Sequence, residues 1–317
     1  MMESIFESLK DHPRSVILDT DIGPDCDDVG ALVCLLHYAG IYGFPVVGIC
    51  NCTSNPSGTG AIDAICRHCG VETPLLGQWS GREFLNDPPC HRYNDAVAQG
   101  FSKSFREKKL HPLDHVTFYR KLLAEAADDD VMIVTIGMFN DLADLLDSGA
   151  DEISPLTGME LVRAKVHCLV SMATILPAGR EYNIFCDADA AKRVFSVWPT
   201  PVFLSDFEIG FRVRTGYPHV SPEDALATSP AATAYRLYSE DGKNASFDLT
   251  AVQFAVLGEG DLYGLLPPVE LEFFAEIPDL PDATRPIPTP DGRFHYMQKR
   301  VDDEALAASL NQILHQY

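Results

Sequence analysis

"SVILDTDIGPDCDD", residues 15–28, follows an aliphatic run with five aspartates in its last ten positions. The run Val16–Leu18 reads as a buried strand, because unbroken aliphatic residues bounded by turn chemistry suit a sheet covered on both faces. Carboxylates packed this closely raise one another's proton affinity and repel unless a cation or a proton is shared among them. Asp19 and Asp21 fall on one face of an extended chain, since side chains alternate with period two. Asp27 and Asp28 open the helical pattern "DDVGALVCLLHYAG", where acidic residues favour the positive helix end and Gly40 offers a stop. The Gly23-Pro24 turn folds them back toward the strand end. The stretch therefore predicts a strand, a turn and a helix around a cage of oxygens. Hard oxygen donors select calcium or magnesium over zinc or copper, and a cage rich in carboxylates leans toward calcium.

Outward from this stretch, strand-like runs recur at "FPVVGICNC" (44–52), "TPLLG" (73–77), "DVMIVTIG" (130–137), "AKVHCLVSM" (164–172) and "TPVFLSD" (200–206). Each precedes a stretch of helical periodicity, with Asn140 and Asp141 placed to cap "LADLLDSG" and Asp187 to cap "ADAAKRVFSV". The expected fold is α/β: a doubly wound, mostly parallel sheet flanked by helices, with ligands at the carboxyl ends of the strands. From about residue 215 the texture turns to Pro, Ser and Asp-rich loops around short helices. "EIPDLPDATRPIPTPDG" (276–292) reads as a proline-stiffened surface connection. One domain over residues 1–317 with a loop-rich C-terminal third is the expected organisation.

A net charge of -22 with no basic patch argues against a nucleic-acid partner and suits a neutral or cationic ligand. No run approaches the ~18 apolar residues of a membrane span. The start, "MMESIFESLKDHPRS", has no long apolar core behind a basic head, so no signal peptide is read. Nine cysteines, mostly in apolar runs, fit reduced buried thiols and a cytoplasmic location. Cys66 and Cys69 form a C-x-x-C without the second pair a zinc site needs.

"ILDTDIGPDCDDVGAL" (17–32) resembles the N-terminal signature of the inosine-uridine preferring nucleoside hydrolase family, D-x-D-x-G-x-D-D-x-x-A, with two extra residues before the paired aspartates. "VVGICNCTSNPSGTGAIDAI" (46–65), "VTIGMFNDLADLL" (134–146), "EYNIFCDADAAKRVF" (181–195) and "FDLTAVQFAVL" (247–257) resemble later segments of the same family, in order. The resemblance implies calcium-dependent hydrolysis of a ribonucleoside, or a related N-riboside, to free base and ribose. It implies Asp21, Asp28, the Ile136 carbonyl and Asp248 as metal ligands, with Asp21 also taking the proton of the attacking water. Asp27, Asn55, Glu181 and Asn183 would bind ribose hydroxyls. It further implies a homo-oligomer, dimer or tetramer, acting in purine or pyrimidine salvage.

Two departures stand out. The insertion leaves the role of Asp25 open, and Phe247 occupies the place where many members carry a histidine that protonates the departing base. An aromatic there resembles the purine-selective branch and makes Phe247 a stacking wall. His91, Tyr93, Asn94, Tyr235 and Tyr238 are the candidates for a lid or a proton donor. Two rival readings remain open. One is a ribose-binding protein that has lost turnover. The other is a haloacid-dehalogenase-like phosphatase with Asp19 as nucleophile, Asp21 as acid and magnesium as the metal.

Overall fold

A computed structural model describes residues 5–317. The segment read as lacking a signal peptide begins with residues 1–4, which lie outside the described residues. Seven parallel strands form the centre of the sheet: Ser15–Thr20 (β1), Val46–Asn51 (β2), Leu75–Gln78 (β3), Leu113–Asp114 (β4), Val131–Thr135 (β5), Val166–Met172 (β6) and Val202–Ser205 (β7). Their spatial order is β7, β6, β5, β1, β2, β3, β4. Six of the seven are the predicted runs, and β4 is a two-residue addition at one edge.

Unbroken aliphatic strands form here because both faces are covered. Val16 and Leu18 join one hydrophobic core while Ile17 joins the other; Met132 and Val134 separate from Val131 and Ile133 in the same way. Period-two alternation thus feeds two cores rather than one core and solvent. The helix Asp27–Tyr42 (α1) is buried along most of its length and packs against the helix Phe247–Leu257. It runs past Gly40 and ends at Gly43, whose left-handed φ of 77° lets its N–H bond the Ala39 carbonyl. Asn140 and Asp141 do not cap the helix they begin; Asn140 instead donates to the Cys52 carbonyl at 2.9 Å. Asp187 does cap its helix, accepting from the Ala190 N–H.

The chain order reverses at β1, which has β2 on one side and β5 on the other. A crevice opens at the carboxyl ends of two neighbouring strands at such a switch point. Asp21 follows β1 and Ile136 follows β5, so both are delivered to it.

The C-terminal third is more regular than its composition predicts. Val269–Phe274, Ala283–Pro288 and Phe294–Lys299 extend the sheet beyond β7, the last of them parallel to β7 and the others antiparallel. Ala283–Pro288 lies within the segment read as a surface connection. Its prolines are tolerated because it is the outermost strand and the missing N–H groups leave no neighbour unpaired. All nine cysteines are unpaired, and no helix among the described residues is long and apolar enough to cross a membrane.

Candidate active site

A cavity of about 340 Å³ opens at the switch point, with Asp21, Asp25, Asp248, Ile136, Glu181 and Asn183 among its lining residues. The loop after β1 gives it shape. Gly23 has φ +148°, and a Cβ there would collide with the Cys90 carbonyl oxygen. Tyr93 donates its hydroxyl to the Asp25 carbonyl at 2.6 Å, and Asn94 donates Nδ2 to the Ile22 carbonyl at 2.7 Å. Tyr93 and Asn94 are therefore buried braces of the loop rather than a lid. Tyr235 is buried too, and His91 does not line the cavity; of the lid candidates only Tyr238 does.

Asp25, Asp28 and Asp248 each offer an oxygen, and the three atoms lie within 4.8 Å of one another. Asp28 and Asp248 stand in the first turns of α1 and of Phe247–Leu257, two helices whose N-cap residues supply no side-chain cap. Two positive helix ends thus converge where the carboxylates gather. Asp28 Oδ1 accepts from the Thr20 hydroxyl, while its Oδ2 is buried with no partner. A buried acceptor left bare beside other carboxylates is costly unless a cation fills the gap. Burial, and then the charges of neighbouring aspartates, push the carboxyl pKa values of Asp21, Asp28 and Asp248 well above the usual range. The donor set fits a hard divalent cation.

Asp27 faces another way. Its Oδ2 accepts from the Asp248 N–H at 3.1 Å and its Oδ1 from Asn244 Nδ2 at 3.2 Å, and Asn244 also reaches Asp25 Oδ2 at 3.3 Å. Asp25 rather than Asp27 lines the cavity, so the insertion brings in a carboxylate whose role the spacing left open. Asp19 is likewise absent from the lining. The strand ends at Thr20, so the alternation that would pair Asp19 with Asp21 stops before Asp21. Asp19 is fully buried in β1 instead, accepting from Tyr119 Oη at 2.5 Å and Thr135 Oγ1 at 3.3 Å, which leaves it out of reach as a nucleophile.

Glu181 begins a short helical turn and accepts from the N–H groups of Asn183, Ile184 and Thr174 at 2.9, 3.2 and 3.3 Å. Burial pushes its pKa up to about 7. Asn183 Nδ2 donates to the Ile136 and Met172 carbonyls at 3.2 and 3.1 Å. The Ile136 oxygen keeps a second lone pair for another partner. Asn55 caps the helix Pro56–His68, accepting from the Ser57 N–H at 2.9 Å; its Nδ2 is buried and bare, and it is not among the cavity's lining residues.

The wall of the cavity is aromatic. Phe247 and Phe207 lie 4.9 Å apart at 30°, and Phe211 stacks on Phe207 at 4.8 Å. Tyr182, Tyr238 and Arg92 line it as well. Phe207, Tyr182 and Arg92 escaped the sequence reading. A signal was available for Phe207, which lies two positions beyond β7, and for Tyr182, which follows Glu181 directly.

The sequence model of the inosine-uridine preferring nucleoside hydrolase family matches residues 16–257. No curated protein sequence matches the chain. Among solved structures, an inosine-uridine preferring nucleoside hydrolase from Bacillus anthracis superposes with a TM-score of 0.67 at 15% identity, covering 96% of this chain and 100% of that one. A purine-preferring ribonucleoside hydrolase from Gardnerella vaginalis gives 0.65 at 18% identity over 95% and 97%, and the plant nucleoside hydrolase PpNRh1 gives 0.64 at 19% over 95% and 99%. Effector proteins share the fold too. With the family model spanning strand β1 through the helix that carries Asp248, the chain belongs to the inosine-uridine preferring nucleoside hydrolase family, a metal-dependent family of N-ribohydrolases.

Proposed function

We propose that the protein hydrolyses the N-glycosidic bond of a ribonucleoside, or a related N-riboside, with calcium as its ion. Two observations carry this reading: Asp25, Asp28 and Asp248 each offer an oxygen within 4.8 Å of the others, and one oxygen of the Asp28 carboxylate is buried and bare. Asp25, Asp28 and Asp248 would hold the ion, and Asp21 and the Ile136 carbonyl, which line the same crevice, would complete its shell. When bound, the cation supplies Lewis-acid polarisation of water and of the ribose diol.

The chain's own residues do the rest. Asp21, whose proton affinity burial raises, accepts a proton from the attacking water. The water oxygen bonds to C1′ of the ribose, the bond from C1′ to the base nitrogen breaks, and its electron pair leaves with the base, which takes up a proton. Glu181 and Asn183 fix the sugar, and their own backbone bonds hold them still. Phe247 and Phe207 stack against the base. The acidic floor suits the positive charge that grows on the sugar in the transition state. Asp27 and Asn55 act from behind this surface, bracing Asp248 and the helix after β2. The buried thiols fit a reducing cytoplasm, and we read the chain as one domain that works in nucleoside salvage as a homo-oligomer.

Release of base and ribose from a panel of purine and pyrimidine nucleosides tests this. Hydrolysis should stop on chelation and return with added calcium. A second reading, ribose binding without turnover, rests on one observation: no histidine lines the cavity among the described residues. Tight nucleoside binding with no base released would favour it.

A further inference from the structure

Arg92 is the one cation among the residues that line the cavity. It is exposed at the rim and lies in sequence between Cys90, whose carbonyl packs on Gly23, and Tyr93, whose hydroxyl holds Asp25, so the brace of the acidic loop anchors the backbone on both sides of it. Its guanidinium carbon sits 5.3 Å from the centroid of the Tyr238 ring. Among the described residues no carboxylate pairs with it and no hydrogen bond engages it. Acid is not scarce in this chain, where ten other arginines each reach a carboxylate. Contact with a ring uses the flat face of a guanidinium and leaves the N–H donors on its edge unused. That edge is a fork matched to two oxygens of a phosphate or a carboxylate.

We propose that Arg92 reads an anionic oxygen group on the substrate, so that the preferred N-riboside carries a phosphate or a carboxylate. The inference rests on the hydrolase reading above and names its substrate class. The cavity has two poles, an acidic floor and a cationic rim. An uncharged nucleoside meets the first with its sugar and leaves the second unmatched, whereas an anionic riboside engages both. The net charge of the chain acts over distances that salt screens, so direct contact with the fork decides the preference.

Two matched pairs test this in the wild type and in Arg92→Gln: inosine against inosine 5′-monophosphate, and nicotinamide riboside against nicotinic acid riboside. In one pair the wild type should favour the anionic member in kcat/KM by about tenfold or more, the scale of a charge-assisted hydrogen-bonded pair. Arg92→Gln should bring that ratio close to one. The pair that responds tells a phosphate on the sugar from a carboxylate on the base. Ratios that Arg92→Gln leaves unchanged, or no preference for either anionic member, would overturn the proposal. If no compound is cleaved, the hydrolase reading fails by itself, and calorimetric affinities of the same four compounds for the two proteins still decide the role of Arg92.

Discussion

Asp19 and Asp28 stand at the two ends of one stretch, both buried and both pushed to high proton affinity by burial and a neighbouring carboxylate, and they differ in the hydrogen bonds they receive. Around Asp19 the fold supplies donors: the Tyr119 hydroxyl reaches it and also lies 3.2 Å from Asp141, and Thr135 bonds its other oxygen. Asp28 receives one hydroxyl, from Thr20, and its second oxygen is buried with nothing to bond, in a carboxylate grouped with those of Asp25 and Asp248. An aspartate that holds the fold together is satisfied by the protein. One that holds a ligand is left incomplete by it, and stability is lost to keep it so.

Replacing each aspartate in turn separates the two classes. Asp28→Asn should lower kcat/KM for base release by about 10²- to 10³-fold, the scale of removing one group that stabilises charge in the transition state. The ion-free variant should unfold at a higher urea concentration than the ion-free wild type, because a buried carboxylate repelled by its neighbours has gone. Asp19→Ala should do the reverse. It removes the acceptor of Thr135 and the shorter of the two acceptors of Tyr119 and should cost about 1–3 kcal/mol in urea unfolding, with calcium affinity of the folded protein kept within about twofold.

A saturating ion should then stabilise whatever keeps the site. At a calcium concentration of about 100 Kd the wild type should gain about 2.7 kcal/mol, and Asp19→Asn the same, while Asp248→Asn should gain almost nothing. Thermal melts with and without calcium measure this.

The smallest effect concerns Asp206, which belongs to the satisfied class, since it accepts from the Glu208 N–H at 2.9 Å. Burial raises its pKa from 3.8 to about 6. The folded chain therefore binds this proton more tightly than the unfolded chain, and its contribution to stability is present below pH 3.8 and lost as pH rises through about 6. Asn keeps the cap and removes the titration. Between pH 4 and pH 7 the stability of Asp206→Asn should fall less than that of the wild type, by on the order of 1 kcal/mol.

Much of the frame was legible in the sequence because each aliphatic run is bounded by turn chemistry, and the strand, turn and helix around the aspartates followed from charge and spacing. What escaped depends on contacts between distant segments. The spacing of the insertion does not say which aspartate lines the cavity; Asn244 bonds both Asp25 and Asp27, and the Asp248 N–H, 221 residues away, engages Asp27 alone. Arg92 lines the cavity in a segment whose Cys90 carbonyl packs onto Gly23, a contact between distant residues. Gly40 and Gly43 look equally able to end α1, and the choice falls to the one whose left-handed backbone closes the last turn. The prolines of Ala283–Pro288 read as loop because their tolerance rests on the strand being outermost, which local sequence does not record.

Calorimetric titration of calcium into chelator-stripped protein shows whether the aspartate cluster holds an ion. One site per chain is expected in the wild type and no measurable binding in a folded Asp28→Asn variant. Undiminished binding in that variant, or base release by a wild type that binds no ion, would contradict this.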